Sequence, residues 1–213
     1  MVTSRKKEED GGMETFYFEV PRIERKEEAI AYIREFYEFG SAINGTGSLN
    51  RFLDDYEGWL DKLRADENRA VSEKGVPSRT FFLVRSSDRR IVGTINIRLE
   101  LNERLKKYGG HIGYSIRPVE RGKGYNRINL YLGLKVCQKY GIRKALLDAD
   151  TDNPASWRTM EALGGVKIEE YFDDENAHCM IRKYEINVNK SIVDYFSVYE
   201  PMAEGSGGIS QVL

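Results

Sequence analysis

The sequence predicts a mixed α/β fold. Two observations lead there: residues 111–165 run strand, helix, strand, helix, and stretches that read as antiparallel hairpins lie on either side, over 80–101 and 166–188. Strand–helix–strand–helix order with antiparallel hairpins on both sides gives a mixed α/β sheet.

The elements follow in order. Thr15 to Val20 (Thr-Phe-Tyr-Phe-Glu-Val) is β-branched and aromatic and stops at Pro21, which reads as a strand. From Lys26 to Glu38, Ile30, Ile33 and Tyr37 recur at helical spacing, and Gly40 ends the helix. Ser41 to Ser48 is a loop rich in Gly, Ser, Thr and Asn. After it, Phe52, Leu53, Tyr56, Trp59, Leu60 and Leu63 form a second helical stripe, and 66–78 reads as a polar loop. Thr80 to Arg85 and Arg90 to Leu101 are strand-like around a Ser86-Ser87-Asp88-Arg89 connection. Asn102 to Tyr108 is a charged connection ending in Gly109-Gly110, and His111 to Arg117 is a strand closed by Pro118. Gly124 to Tyr140 is a helix with Leu130, Leu134 and Cys137 on one stripe and Gly141 as its stop. Its interior Gly133 costs about 1 kcal/mol relative to Ala, so it implies close packing. Ala145 to Ala149 is a short strand; Asn153 caps a helix with Pro154 at its first position; and Val166 to Phe172 pairs with His178 to Val188.

One domain, residues 13–188, accounts for these elements. Residues 1–12 are charged and without periodicity, so they read as a flexible leader, and 189–213 form a C-terminal extension. Within the extension, Ser191 to Tyr199 holds six apolar or aromatic residues in nine, ahead of Pro201 and a Gly205-Ser-Gly-Gly208 linker. Left in water, such a segment is an aggregation-prone strand, so it is expected to be covered. It can fold back on its own domain or add to the sheet edge of a second copy, and a homodimer is slightly favoured.

The 213 residues carry 33 Lys and Arg against 34 Asp and Glu, a net charge of −1, which argues against a nucleic-acid partner. Two cysteines, Cys137 and Cys179, make no disulfide framework, and His111 and His178 are too few for a histidine-based metal site, so no metal is expected. No stretch approaches the ~18 apolar residues of a membrane span. The N-terminus has no apolar segment behind its charges, so neither a membrane nor a secretion signal is expected and the cytoplasm is the expected compartment.

The chemistry concentrates in Arg117-Pro-Val-Glu-Arg-Gly-Lys-Gly-Tyr-Asn-Arg127, between a strand and a helix. Unpaired N–H groups at a helix start attract an anion, Gly122 and Gly124 allow close backbone approach, and Arg117, Arg121, Lys123 and Arg127 supply charge. That combination suits a pyrophosphate, although a solvated strand–helix turn would look the same. A P-loop and a dinucleotide fingerprint both fail for want of their remaining residues.

Arg121-x-x-Gly124 after a Tyr-Ser-Ile-Arg-Pro strand resembles the acyl-CoA signature Gln/Arg-x-x-Gly-x-Gly/Ala of the GCN5-related N-acetyltransferases, the GNAT superfamily. Asp152-Asn153-Pro-Ala-Ser156 through Leu163-Gly164 resembles that family's Asn-x-x-Ser/Ala…Leu-Gly segment. The resemblance covers about residues 13–188. It implies a mostly antiparallel central sheet flanked by helices, with splayed central strands, and an acetyltransferase that uses acetyl-CoA as donor.

On that pattern, backbone groups of the Tyr114-Ser115-Ile116-Arg117 strand meet the pantetheine arm. The N–H groups of Gly122, Lys123, Gly124, Tyr125 and Asn126, with Arg121 beside them, take the pyrophosphate, and Asn153 and Ser156 start the next helix beside the cofactor. An amine attacks the thioester carbonyl and must lose a proton; Glu100 is the first candidate base, then His111 and Glu103. The resemblance places acceptor choice in the 41–48 loop and the terminal hairpin, so the acceptor class is a small-molecule amine or a peptide. Two departures stand out. Asn126 replaces the final Gly/Ala, and Met160 stands where many relatives have the Tyr that protonates the leaving sulfur. They leave two alternatives, a non-catalytic acyl-CoA sensor and an interaction protein keeping only the fold.

Overall fold

A computed structural model describes residues 13–175 and 178–204; the leader at 1–12 and the linker at 205–208 lie outside them. Among these residues, seven strands form two antiparallel sheets. The first contains β1 (Phe16–Glu19), β2 (Ser78–Arg85), β3 (Ile91–Arg98) and β4 (Ile112–Ile116) in that spatial order. The second contains β5 (Lys144–Asp150), β6 (Val166–Asp173) and β7 (Cys179–Asn187), with β7 in the middle. The helices are α1 (Lys26–Glu38), α2 (Tyr56–Glu67), α3 (Glu103–Lys107), α4 (Tyr125–Lys139), α5 (Pro154–Glu161), α6 (Val188–Asp194) and α7 (Phe196–Tyr199). No helix among the described residues is long and apolar enough to cross a membrane.

Strand β2 explains the layering. Its Phe81-Phe82-Leu83-Val84 run is apolar throughout because both faces are covered: alternate side chains point to opposite sides. Phe81 and Leu83 join the core around α4, while Phe82 and Val84 join the core under α1 and α2. Gly133 is needed for the first of these packings, since a Cβ there would sit 2.6 Å from Ile95 Cδ1.

The two sheets meet at one point. His111 N–H donates to Leu146 O at 2.7 Å, and Gly110 bridges Leu147. Beyond that junction β4 pairs only with β3 and β5 only with β7, so the two central strands part and leave a gap. This is the splay the family resemblance implied.

Three elements differ from the sequence reading. Asn102 to Tyr108, read as a connection, contains α3, capped by Asn102 through the Leu105 N–H at 2.9 Å. The second early helix starts at Tyr56 rather than Phe52, because Asp55 accepts the Gly58 N–H at 3.0 Å. The apolar run at 191–199 is helical, in α6 and α7, and lies back on its own domain. Ser191 Oγ donates to Leu163 O at 2.7 Å, the Tyr199 ring packs 5.5 Å from that of Tyr131, and Glu200 accepts from Tyr131 Oη at 3.0 Å and Lys135 Nζ at 2.8 Å.

Truncation after Val188 removes the buried Ile192 and Tyr199. Burial of each contributes about 1.5–3 kcal/mol. A melting curve is therefore expected to show a loss of roughly 10 °C, at about 2–4 °C per kcal/mol for this size. An unchanged melting temperature would show that the extension does not brace the domain.

Candidate active site

A cavity of about 720 Å³ opens along the gap between β4 and β5. Strand β4, the turn leading into α4, the end of β5, the start of α5 and the loop at Ser41, Ala42 and Asn44 line it, with Arg98 and Gly109 at the junction end.

The turn is held from below. Glu120 is buried and paired with Arg85 at 2.9 Å, Arg90 at 3.3 Å and Lys123 at 2.8 Å, which fixes the backbone immediately before the glycines. Gly122 and Gly124 then take φ of +78° and +80°, and nothing lies within 4 Å of where a Cβ would project from either. No side chain caps α4. Arg127 N–H turns back to Gly124 O at 3.0 Å, while the N–H groups of Tyr125 and Asn126 open the helix without a side-chain cap, at the positive end of its dipole. Arg121 stands beside them, steadied by Ile116 O at 3.2 Å and Ser41 Oγ at 3.0 Å. An open backbone cradle with an adjacent guanidinium suits a diphosphate.

Ser115, Ile116, Arg121, Gly122, Gly124, Tyr125, Asn126, Asn153 and Ser156 all line this one cavity. Asn153 also caps α5, accepting the Ser156 N–H at 3.2 Å. The 41–48 loop closes one side: Asn44 O accepts from Ser115 Oγ at 2.6 Å, and Gly45 presses so close to Tyr114 that a Cβ would meet its backbone at 2.5 Å.

Four candidates fall elsewhere. Arg117 is buried and serves packing: it pairs with Glu35 at 2.9 Å, bonds Ile91 O at 3.2 Å, and gives its own N–H to Val92 O. Lys123 pairs with Glu120 at 2.8 Å and is not among the cavity's lining residues. Glu100 is exposed in the bend after β3, and Glu103 is exposed on α3, paired with Lys106. Neither lines the cavity.

His111 lies at the junction of the two sheets and does not line the cavity. Its Nδ1 accepts the Leu146 N–H at 3.0 Å, so the ring locks the β4–β5 junction. Burial, with the Arg98 charge adding to it, pushes its pKa down to about 4. The folded form resists protonation, so the stabilisation is complete above the ordinary 6.5 and is lost as the pH falls towards 4. Discounted for partial exposure, this amounts to roughly 2 kcal/mol. His111→Asn, which keeps an acceptor but does not titrate, is expected to flatten the fall in melting temperature between pH 7 and pH 4.5. Parallel curves for the two proteins would remove His111 as the cause.

Two functional candidates went unread in the sequence. Asp148 of β5 lines the cavity next to the junction; its Oδ2 accepts the Gly109 N–H at 2.7 Å and the Tyr171 O–H at 2.9 Å. The available signal was one carboxylate inside an apolar strand, Ala145-Leu146-Leu147-Asp148-Ala149. Tyr114 sends its hydroxyl across the gap to Ser156, 3.0 Å from Oγ, and burial raises its pKa so that the phenol stays protonated. Met160 is buried but lines the cavity wall near them without a proton to give.

Residues 36–166 match a family model described as the acetyltransferase (GNAT) domain. No curated protein matches the chain. Among solved structures, a ribosomal-protein-S5-alanine acetyltransferase from Vibrio fischeri superposes with a TM-score of 0.62 at 17% identity, covering 83% of this chain and 95% of its own. A spermidine/spermine N-acetyltransferase, SpeG from Vibrio cholerae, gives 0.59 at 12% identity, covering 84% and 98%. A GNAT-family acetyltransferase from Bacillus anthracis gives 0.56 at 14% identity, covering 84% and 98%. These similarities are of fold.

Proposed function

The chain belongs to the GNAT family of acetyltransferases, and from that premise we propose that it transfers an acetyl group from acetyl-CoA to a primary amine of a small molecule or peptide. The observation that carries the reading is the splayed gap ending at an uncapped helix start with two glycines at positive φ. Residues 13–188 form the catalytic domain on this reading, and 189–204 brace it.

Acetyl-CoA supplies the activated acyl group when bound; the chain supplies position and proton traffic. The N–H groups from Gly122 to Asn126, with Arg121, hold the diphosphate. Backbone groups of Ser115 and Ile116 hold the arm, and Asn153 and Ser156 border it. Asn126, at the position of the family's usual Gly/Ala, lines the cavity. Tyr114 Oη keeps a proton at the cavity wall where Met160 has none, and so takes the role of proton donor. The two acceptors to try first are spermidine and a peptide beginning with alanine, by analogy with the structures of similar fold.

A melting assay with acetyl-CoA tests the donor half. A ligand at 100 times its Kd adds about 2.7 kcal/mol, which for this size is roughly 5–10 °C. No shift at millimolar acetyl-CoA would contradict the proposal.

A further inference from the structure

We propose that Arg98 receives a carboxylate of the acceptor, so that the acceptor is a small primary amine that also carries a carboxylate. This rests on the acetyltransferase reading above and narrows its acceptor.

Arg98 ends β3 with its backbone fixed and half of its guanidinium engaged. Its N–H donates to His111 O at 2.8 Å, and Nη1 donates to Gly110 O at 2.8 Å and Gly109 O at 3.3 Å. Among the described residues, Nε and Nη2 make no hydrogen bond and no carboxylate pairs with the side chain. Neither nitrogen is sealed from solvent, and the residue lines the cavity. Nε and Nη2 form the edge of the fork that matches two carboxylate oxygens, and the bonds of Nη1 hold that edge in place.

The position is that of an acceptor contact. On β3, Ile95 and Ile97 pack into the core around α4, so Thr94, Asn96 and Arg98 look to the opposite face. Thr94 pairs with Ser115 of β4, whose hydroxyl reaches Asn44 O in the 41–48 loop on that face. The whole of β4 separates Arg98, bonded to Gly110, from the cradle that follows Ile116. Arg121 belongs to the cradle, and the other arginines of the cavity, Arg127 and Arg158, are exposed.

Its surroundings leave the Arg98 charge without a counter-ion. Burial pushes its pKa down against the Asp148 charge, and the Arg104 charge adds to the push. An arginine keeps its proton in a protein, so the strain is that of a desolvated cation short of an anion. His111 is uncharged at neutral pH, and Lys183 is spent on Lys107 O and Lys106 O. Asp148 Oδ2 is taken by the Gly109 N–H and the Tyr171 O–H. Asp148 and Asp150 line the same cavity, so its charges are of both signs. An amine that carries a carboxylate matches both; a polyamine has nothing for Arg98 and is repelled by it.

The test uses the full chain with acetyl-CoA. Glycine, β-alanine and γ-aminobutyrate are each compared with the alkylamine in which a methyl replaces the carboxylate, and with spermidine and an amidated alanine-initiated peptide. The best carboxylate-bearing amine is expected to exceed its methyl counterpart in kcat/KM by about ten- to a hundredfold, the worth of one charge-assisted contact. Arg98→Gln keeps a donor for the Gly110 carbonyl without the charge, and is expected to bring that ratio close to one; Arg98→Lys should recover part of it. A role confined to bracing Gly109 and Gly110 would slow both amines alike and leave the ratio where it was. Calorimetry with CoA in place of acetyl-CoA reads binding without turnover: the preferred amine should bind the wild type at least tenfold more tightly than Arg98→Gln. A wild-type ratio near one, faster turnover of spermidine or of the amidated peptide than of every carboxylate-bearing amine, or a ratio or affinity unchanged in Arg98→Gln overturns this assignment and leaves the acetyltransferase reading standing. Failure of the wild type to acetylate any of these amines overturns that reading, and this assignment with it.

Discussion

Gly124→Val is expected to weaken acetyl-CoA binding by about two decades or more. Two effects add. Gly124 has φ of +80°, where an L-residue costs about 1–2 kcal/mol and a β-branched one more, strain that the turn relieves by swinging its N–H groups off the anion site. The new side chain also projects into the open space where the cradle's N–H groups aim, displacing the anion they would hold. A combined loss of about 3 kcal/mol corresponds to roughly a hundredfold in Kd. Because no protein atom lies within 4 Å of the new Cβ, the fold should survive, and the melting temperature without ligand should fall far less than the affinity does. Arg121→Ala makes a milder companion: one charge-assisted contact is worth about 1.5–3 kcal/mol, or one to two decades. Calorimetry showing unchanged affinity in both variants would remove the cradle from the account.

The second large effect is structural. Gly110→Val is expected to break the junction between the sheets. A Cβ at this position would lie 2.2 Å from Leu146 O and 2.5 Å from its carbonyl carbon, both backbone atoms, and φ is +60°. The chain must move apart there, at the cost of the His111–Leu146 pair of hydrogen bonds, the Arg98 contact with Gly110 O and the Gly109 N–H to Asp148. Each buried group left unsatisfied costs about 1–3 kcal/mol, so a loss above about 4 kcal/mol and a melting temperature lowered by more than roughly 10 °C are expected. A melting temperature within about 2 °C of wild type would show that the splay does not depend on this contact.

What could be read from the sequence was local in origin. The bounds of α1 follow from its own apolar spacing and the Gly40 stop, and they agree with the structure residue for residue. The cradle was legible because positive φ is a property of the glycines themselves. What was missed depends on distant parts of the chain. Helix α3 is too short to show a period, so its charges masked its cap. The apolar run at 191–199 suits strand or helix equally, and the choice is made by Tyr131 and Leu163, far away in sequence. Arg117 and Lys123 looked like phosphate ligands until Glu35 and Glu120 appeared beside them. Asp148 is the clearest case: its hydrogen-bond partners are Gly109 and Tyr171, and no local pattern joins those three positions.

The central claim is the transfer of an acetyl group from acetyl-CoA to an amine. Release of CoA thiol across a panel of amines, with mass analysis of each amine, tests it most directly. The account predicts amine-dependent thiol release matched by one acetyl group gained on a primary amine, with spermidine and the alanine-initiated peptide the first to be tried. Acetyl-CoA binding without thiol release for any amine on the panel would contradict it and make the cavity that of a sensor.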